Sequence, residues 1–137
     1  MLTVNQEEES VVTVPRLTWA SVSDTRMEGA ILDAMSDEIS RMILNSTAAR
    51  GGSVEEITHE TGIPLSTVYR RIHELEEEGL LLLEEIVLTG NGRRYSLYRS
   101  AFSRMTMALG PSGLRIWVTL NENVAYKFHR KWQFTRP

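Results

Sequence analysis

Apolar residues recur along the chain at two different periods, and the change from one to the other divides it into a helical half and an extended half. In the first half, Met27, Ala30, Ile31, Ala34 and Met35 fall at helical spacing behind Asp24, which predicts a short helix capped by that aspartate. Ile39, Met42 and Ile43 predict a second helix. Ser36 opens it, Asp37 and Glu38 sit in its first turn where carboxylates favour the positive end of the helix dipole, and Gly51 ends it.

The stretch from Ser53 to Gly79, SVEEITHETGIPLSTVYRRIHELEEEG, reads as two short helices joined by a tight turn. Ser53 with Glu56 three residues later forms a capping box, because each side chain can satisfy a backbone N–H that the first turn leaves without a partner. The helix therefore starts at Val54. It ends near Thr61, where Gly62 can take the left-handed conformation and Pro64 bars simple continuation but is tolerated at the start of a new helix. In the helix that follows, Leu65, Val68, Ile72 and Leu75 form one narrow apolar stripe, while Ser66, Thr67, Arg70, His73 and Glu74 point the other way. Tyr69 and Arg71 flank the stripe.

After Gly79 the period drops to two. Residues 80–88 and 93–99, joined by Thr89, Gly90, Asn91 and Gly92, predict a hairpin. Its second strand sets Tyr95 and Leu97 on one face and Arg94, Ser96 and Tyr98 on the other. Met105, Met107 and Leu109, then Leu114, Ile116, Val118 and Leu120, alternate with polar neighbours around Gly110, Pro111, Ser112 and Gly113, which predicts a second hairpin. One of its faces is almost wholly aliphatic and requires cover from the core, from the last helix or from a second copy of the chain. From Glu122 a helix is expected, with Val124, Ala125, Phe128 and Trp132 on one side. Residues 1–23 are expected to form a loose polar tail, the alternative being an arm or edge strand over Val11 to Trp19.

Composition and charge then narrow the classes. With 137 residues and 42% hydrophobic content, the chain can build one modest core. No apolar run is long enough to span a bilayer and no secretory leader is visible, so no membrane association and a cytoplasmic location are expected. Cysteine is absent, which removes disulfides and thiolate metal sites. The net charge of −3 hides a segregation: residues 1–60 carry −7, residues 61–85 carry −4 and residues 86–137 carry +8. The last segment can hold a positive potential locally whatever the total.

Two short helices joined by three or four turn residues form a helix-turn-helix, whose second helix can lie in a DNA major groove. A basic hairpin directly after it is a wing, placed to touch backbone phosphates or the adjacent minor groove. The outward residues Ser66, Thr67, Tyr69, Arg70 and Arg71 are the candidate base readers, and Arg93, Arg94 and Arg99 the candidate phosphate contacts. Glu74, Glu76, Glu77 and Glu78 cluster at the far end of the same helix, which must therefore point away from phosphate.

Residues 66–98 resemble the winged-helix transcription regulators of the ArsR-like superfamily, the archaeal ones in particular. The likeness rests on Ser66, Thr67 and Val68 at the front of the second helix, Arg70 within it, Leu75 with Glu76 to Gly79 at its end, and Leu80 opening the hairpin. Leu32 to Leu44 resembles the first core helix of that family, and the likeness covers about residues 30–99. Where metal-sensing members carry cysteines, this chain has Glu55, Glu56, Ile57 and Thr58, so metal regulation of that kind is not implied.

The expected architecture is α+β: a winged helix-turn-helix over residues 24–99 with an additional C-terminal β-hairpin and helix over 100–137, expected to serve as a dimerisation extension. The expected partners are double-stranded DNA and a second copy of the chain in a homodimer. The competing reading is a winged-helix module that grips protein within a larger assembly. His59, His73 and His129 stand singly, and no catalytic triad, phosphate loop or paired carboxylate emerges, so neither enzymatic activity nor a metal or other cofactor is expected.

Overall fold

The computed structural model describes residues 19–121 and 134–135. Among them the order is strand β1 (Trp19–Val22), helices α1 (Thr25–Met35), α2 (Glu38–Ser46), α3 (Val54–Thr61) and α4 (Leu65–Glu77), then strands β2 (Leu81–Leu88), β3 (Arg94–Ser100), β4 (Phe102–Gly110), β5 (Gly113–Leu120) and β6 (Phe134–Thr135).

Asp24 caps α1 as expected, its carboxylate accepting from the N–H groups of Arg26 at 2.9 Å and Met27 at 3.4 Å. Ser36 does not open α2. It closes α1, donating its N–H to Leu32 O at 3.0 Å and its hydroxyl to Asp33 O at 2.8 Å. Asp37 is the true cap of α2, because its extended backbone lets the carboxylate accept from Ser40 N–H at 2.8 Å. The helix also stops before Gly51. At Thr47 both the N–H, at 3.2 Å, and the hydroxyl, at 2.9 Å, turn back to Ile43 O. The freed chain then runs to Gly52, which exchanges two backbone hydrogen bonds with Tyr98 at 2.9 and 2.8 Å.

The capping box at α3 is complete, with Ser53 N–H donating to Glu56 at 2.9 Å and Glu56 N–H to the Ser53 hydroxyl at 3.1 Å. Gly62 closes α3 at φ 77°, a conformation that costs glycine nothing. Helix α4 buries Val68, Ile72 and Leu75. Leu65 does not join them: at 50% exposure it lies outside the stripe expected for it, since the helix begins at that residue and its first turn projects beyond the core.

Gly79, at φ 80°, ends α4 and lets Leu80 N–H reach Leu75 O at 3.0 Å, which aims the chain into the wing. There β2 and β3 pair antiparallel from Leu81↔Ser100 to Leu88↔Arg94, with an irregularity between Leu83 and Glu85. The second sheet has the order β4-β5-β1-β6. Trp19–Val22 is therefore not part of a loose tail. It pairs with β5 through Ala20↔Val118, because Ala20 adds a buried side chain next to Ile116, Val118 and Leu120. The rest of the expected tail, residues 1–18, and the helix expected from Glu122 lie outside the described residues.

One core joins the two parts. Met27 and Ile31 of α1, Ile43 of α2, Ile57 of α3, Ile72 of α4 and Ile116 and Val118 of β5 belong to a single buried cluster. The aliphatic face of the second hairpin is thus covered in part by the core, while its far end carries Met107 and Leu109 into solvent.

Candidate nucleic-acid interface

Helix α4 is fixed along one side by Val68, Ile72 and Leu75, so the opposite side must stand clear of the body. Ser66, Tyr69 and Arg70 are exposed there, and Thr67 is half-buried. Arg70 has no hydrogen-bond or ion-pair partner among the described residues. The Tyr69 and His73 rings lie 5.1 Å apart and tilted by 49° on the same face. His73 was not among the contacts read from the sequence; its i, i+4 spacing from Tyr69 is the signal that marks it.

The wing tip is held by its own turn. Thr89 N–H donates to Arg93 O at 2.8 Å, Gly92 N–H to Thr89 O at 3.1 Å, and Gly92 takes φ 83°. Arg93, Arg94 and Tyr95 emerge from it exposed. With Glu55, Thr89 and Asn91 these residues line a shallow hollow of about 280 Å³, which sets the tip beside the first turn of α3.

Two arginines are not where the sequence put them. Arg71 was expected among the base readers, yet it turns inward to α2, donating hydrogen bonds to the Asp37 carboxylate and, at 3.0 Å, the Ser40 hydroxyl, and forming an ion pair at 2.9 Å with Glu74 of its own helix. The hydrogen bond from Ser40 N–H, foremost, and the contacts with the Ser40 hydroxyl and Arg71 hold the Asp37 carboxyl below the usual range, against a smaller effect of burial. Arg99 was expected to contact phosphate, but only 8% of it is exposed. Its guanidinium meets Glu84 at 3.0 and 3.3 Å and Ala48 O at 3.5 Å. A carboxylate within reach on the neighbouring helix or strand captures each guanidinium, so neither belongs to the outward surface.

The acidic end of α4 gathers at the junction of α1 and α2. Asp33, Asp37, Glu74, Glu77 and Glu78 line a hollow of about 310 Å³ around Arg71. Burial, and then the nearby charges of Asp33 and Glu74, push the Glu78 carboxyl up. The negative charge thus collects at the opposite end of the helix from Ser66. Among the described residues no group of three metal-ligating side chains comes together, and no helix is long and apolar enough to cross a membrane.

Residues 43–84, from α2 through α3 and α4 into β2, match the family model of the IclR helix-turn-helix domain. The protein is a DNA-binding transcription regulator. Its winged helix-turn-helix supplies the DNA-binding part, and the matched span holds the turn and the whole of the exposed α4 face. The structure also superposes on the crystal structure of NolR from Sinorhizobium fredii with a TM-score of 0.44 and 15% sequence identity, over 74% of this chain and 82% of that one. At that distance the superposition adds nothing to the functional reading. No curated protein matches the chain in sequence.

Proposed function

We propose that the protein binds double-stranded DNA in a sequence-specific manner as a homodimer, with α4 in the major groove and the wing on the backbone or minor groove. The observation that carries this is the exposure of Arg70, flanked by Ser66 and Tyr69, on the face directly away from the buried Val68, Ile72 and Leu75. Ser66, Thr67, Tyr69 and Arg70 read base edges; Arg93 and Arg94 position the duplex through phosphates. The ArsR-like, archaeal affinity suggested by residues 66–98 concerns this same helix and wing and leaves these roles unchanged. A regulator acting on DNA in this way works in the cytoplasm, with two half-sites matched to its two-fold symmetry.

Arg70→Ala tests the assignment. A bidentate arginine–guanine contact contributes about 1 to 3 kcal/mol, so affinity for the preferred site should fall by that amount and preference at one base position should relax. Selecting bound fragments from genomic DNA with the parent and the variant measures both. Equal loss on every sequence would reduce Arg70 to a phosphate clamp.

A second reading, a winged-helix module that grips protein, draws on Ile86 and Leu88, which stand exposed on the wing strand β2. It is favoured if the protein shows no duplex binding at low salt.

A further inference from the structure

The outer edge of β4 is the least explained surface of the molecule. Strand β4 stands at the end of the β4-β5-β1-β6 sheet, and no described strand pairs with its free side. Its pairing with β5 is irregular between Phe102 and Arg104, but from Arg104 to Gly110 the register is regular, with no proline, no lysine and no acid, and Arg104 is the one charge of the strand. Its inner face ends in Met107, 38% exposed, and Leu109, 83% exposed. At the other end of the same strand, Phe102, Ser103, Arg104 and Met105 border an open groove of about 530 Å³ whose far wall includes Met35 and Met42.

We infer that two copies of this chain meet along β4, edge to edge and antiparallel, with the two-fold axis at Thr106. The inference rests on the homodimer proposed above and names its interface. Thr106 is the midpoint of the strand, so this register pairs Arg104 to Ala108 of both copies, clear of the irregularity between Phe102 and Arg104. It sets Met105 opposite Met107 of the second copy, keeping apolar side chains on one face, and places each Arg104 opposite Ala108 rather than opposite its own mate. It also carries Leu109 of one copy toward the irregular end of the other strand, at the mouth of the groove that Ser103 borders. The strand thus carries a projecting apolar residue at one end and a recess at the other, and a two-fold axis brings each to its counterpart, as a self-complementary interface requires. The wing edge along β2 fits this role less well, since it carries two acids, Glu84 and Glu85, whereas β4 carries none.

The absence of cysteine from the chain makes the test clean. In Thr106→Cys, the two introduced thiols face each other across the axis at the Cα separation of about 4.5 to 5.5 Å found in antiparallel pairs, within the range a disulfide spans. Mild oxidation of the full-length protein should convert the 15.6 kDa chain to a covalent species of twice that mass. The same treatment of Arg115→Cys, one strand further in, should leave it uncoupled. Leu109→Asp, at a site that is exposed in the single chain, should shift sedimentation to the monomer. A parent protein that is monomeric at micromolar concentration, or one that is dimeric while Thr106→Cys stays uncoupled, overturns the inference. Coupling at Thr106 in a protein that binds no duplex would remove the DNA-binding proposal and leave the interface standing.

Discussion

Replacing Arg99 with alanine is expected to cost the fold about 3 to 5 kcal/mol, because it strands a carboxylate that has little access to water. Arg99 and Glu84 are 10% and 15% exposed in their side chains, and they pair at 3.0 Å. Ala48 O, which Arg99 also reaches, accepts a second hydrogen bond from the Asn121 amide at 2.8 Å, so one node ties the wing, the end of α2 and the end of β5 together. The packing is tight enough that a Cβ on Gly51 would collide with a Glu84 carboxylate oxygen. The midpoint of urea unfolding should fall with the slope unchanged. The double change Arg99→Met with Glu84→Leu should recover most of the loss, since apolar residues of similar volume remove both charges at once. A loss under 1 kcal/mol for Arg99→Ala would return Arg99 to the surface where its sequence position suggested it belonged.

Ile72→Ala is the second large effect. Ile72 is 1% exposed at the centre of the α4 stripe and belongs to the core cluster that also holds Ile43 and Ile57. Truncation removes three carbons and leaves a cavity, at a cost of about 2 to 5 kcal/mol. That is a large share of the roughly 5 to 15 kcal/mol by which domains of this kind are stable. DNA affinity should fall at temperatures where the variant begins to unfold, and recover on cooling. Thermal unfolding followed by circular dichroism, with binding measured well below the transition, separates the two. Unchanged stability with lost binding would mean that the α4 stripe does not anchor the helix.

What the chain reveals on its own follows from how local each signal is. The α3–α4 pair was legible because its determinants lie within a few residues of one another: the Ser53–Glu56 capping box, Gly62, Pro64 and the 3.6 period of Val68, Ile72 and Leu75. The wing was legible for the same reason, its turn being set by Thr89 to Gly92. The misplacements involve long-range partners. Arg71 pairs with Asp37, 34 positions away, and Arg99 with Glu84, across a hairpin whose irregularity between Leu83 and Glu85 changes which side chains meet. Gly52 carries no strand pattern, yet it bridges to Tyr98. Trp19–Val22 is too short for alternation to show, and only its partner β5 makes it a strand. Thus the exposure of Ser66, Tyr69 and Arg70 could be read from period alone, whereas deciding which arginines are free required knowing which carboxylates the fold brings near.

The salt dependence of duplex binding tests the central claim most directly. If Arg93 and Arg94 contact phosphate while α4 lies in the groove, log affinity should fall linearly with log salt concentration. Arg93→Ala with Arg94→Ala should then make the slope shallower by about 0.9 for each phosphate contact removed, while the Arg70→Ala loss at the preferred site persists. Duplex affinity that is undetectable at low salt, or that stays level as salt rises, would contradict it.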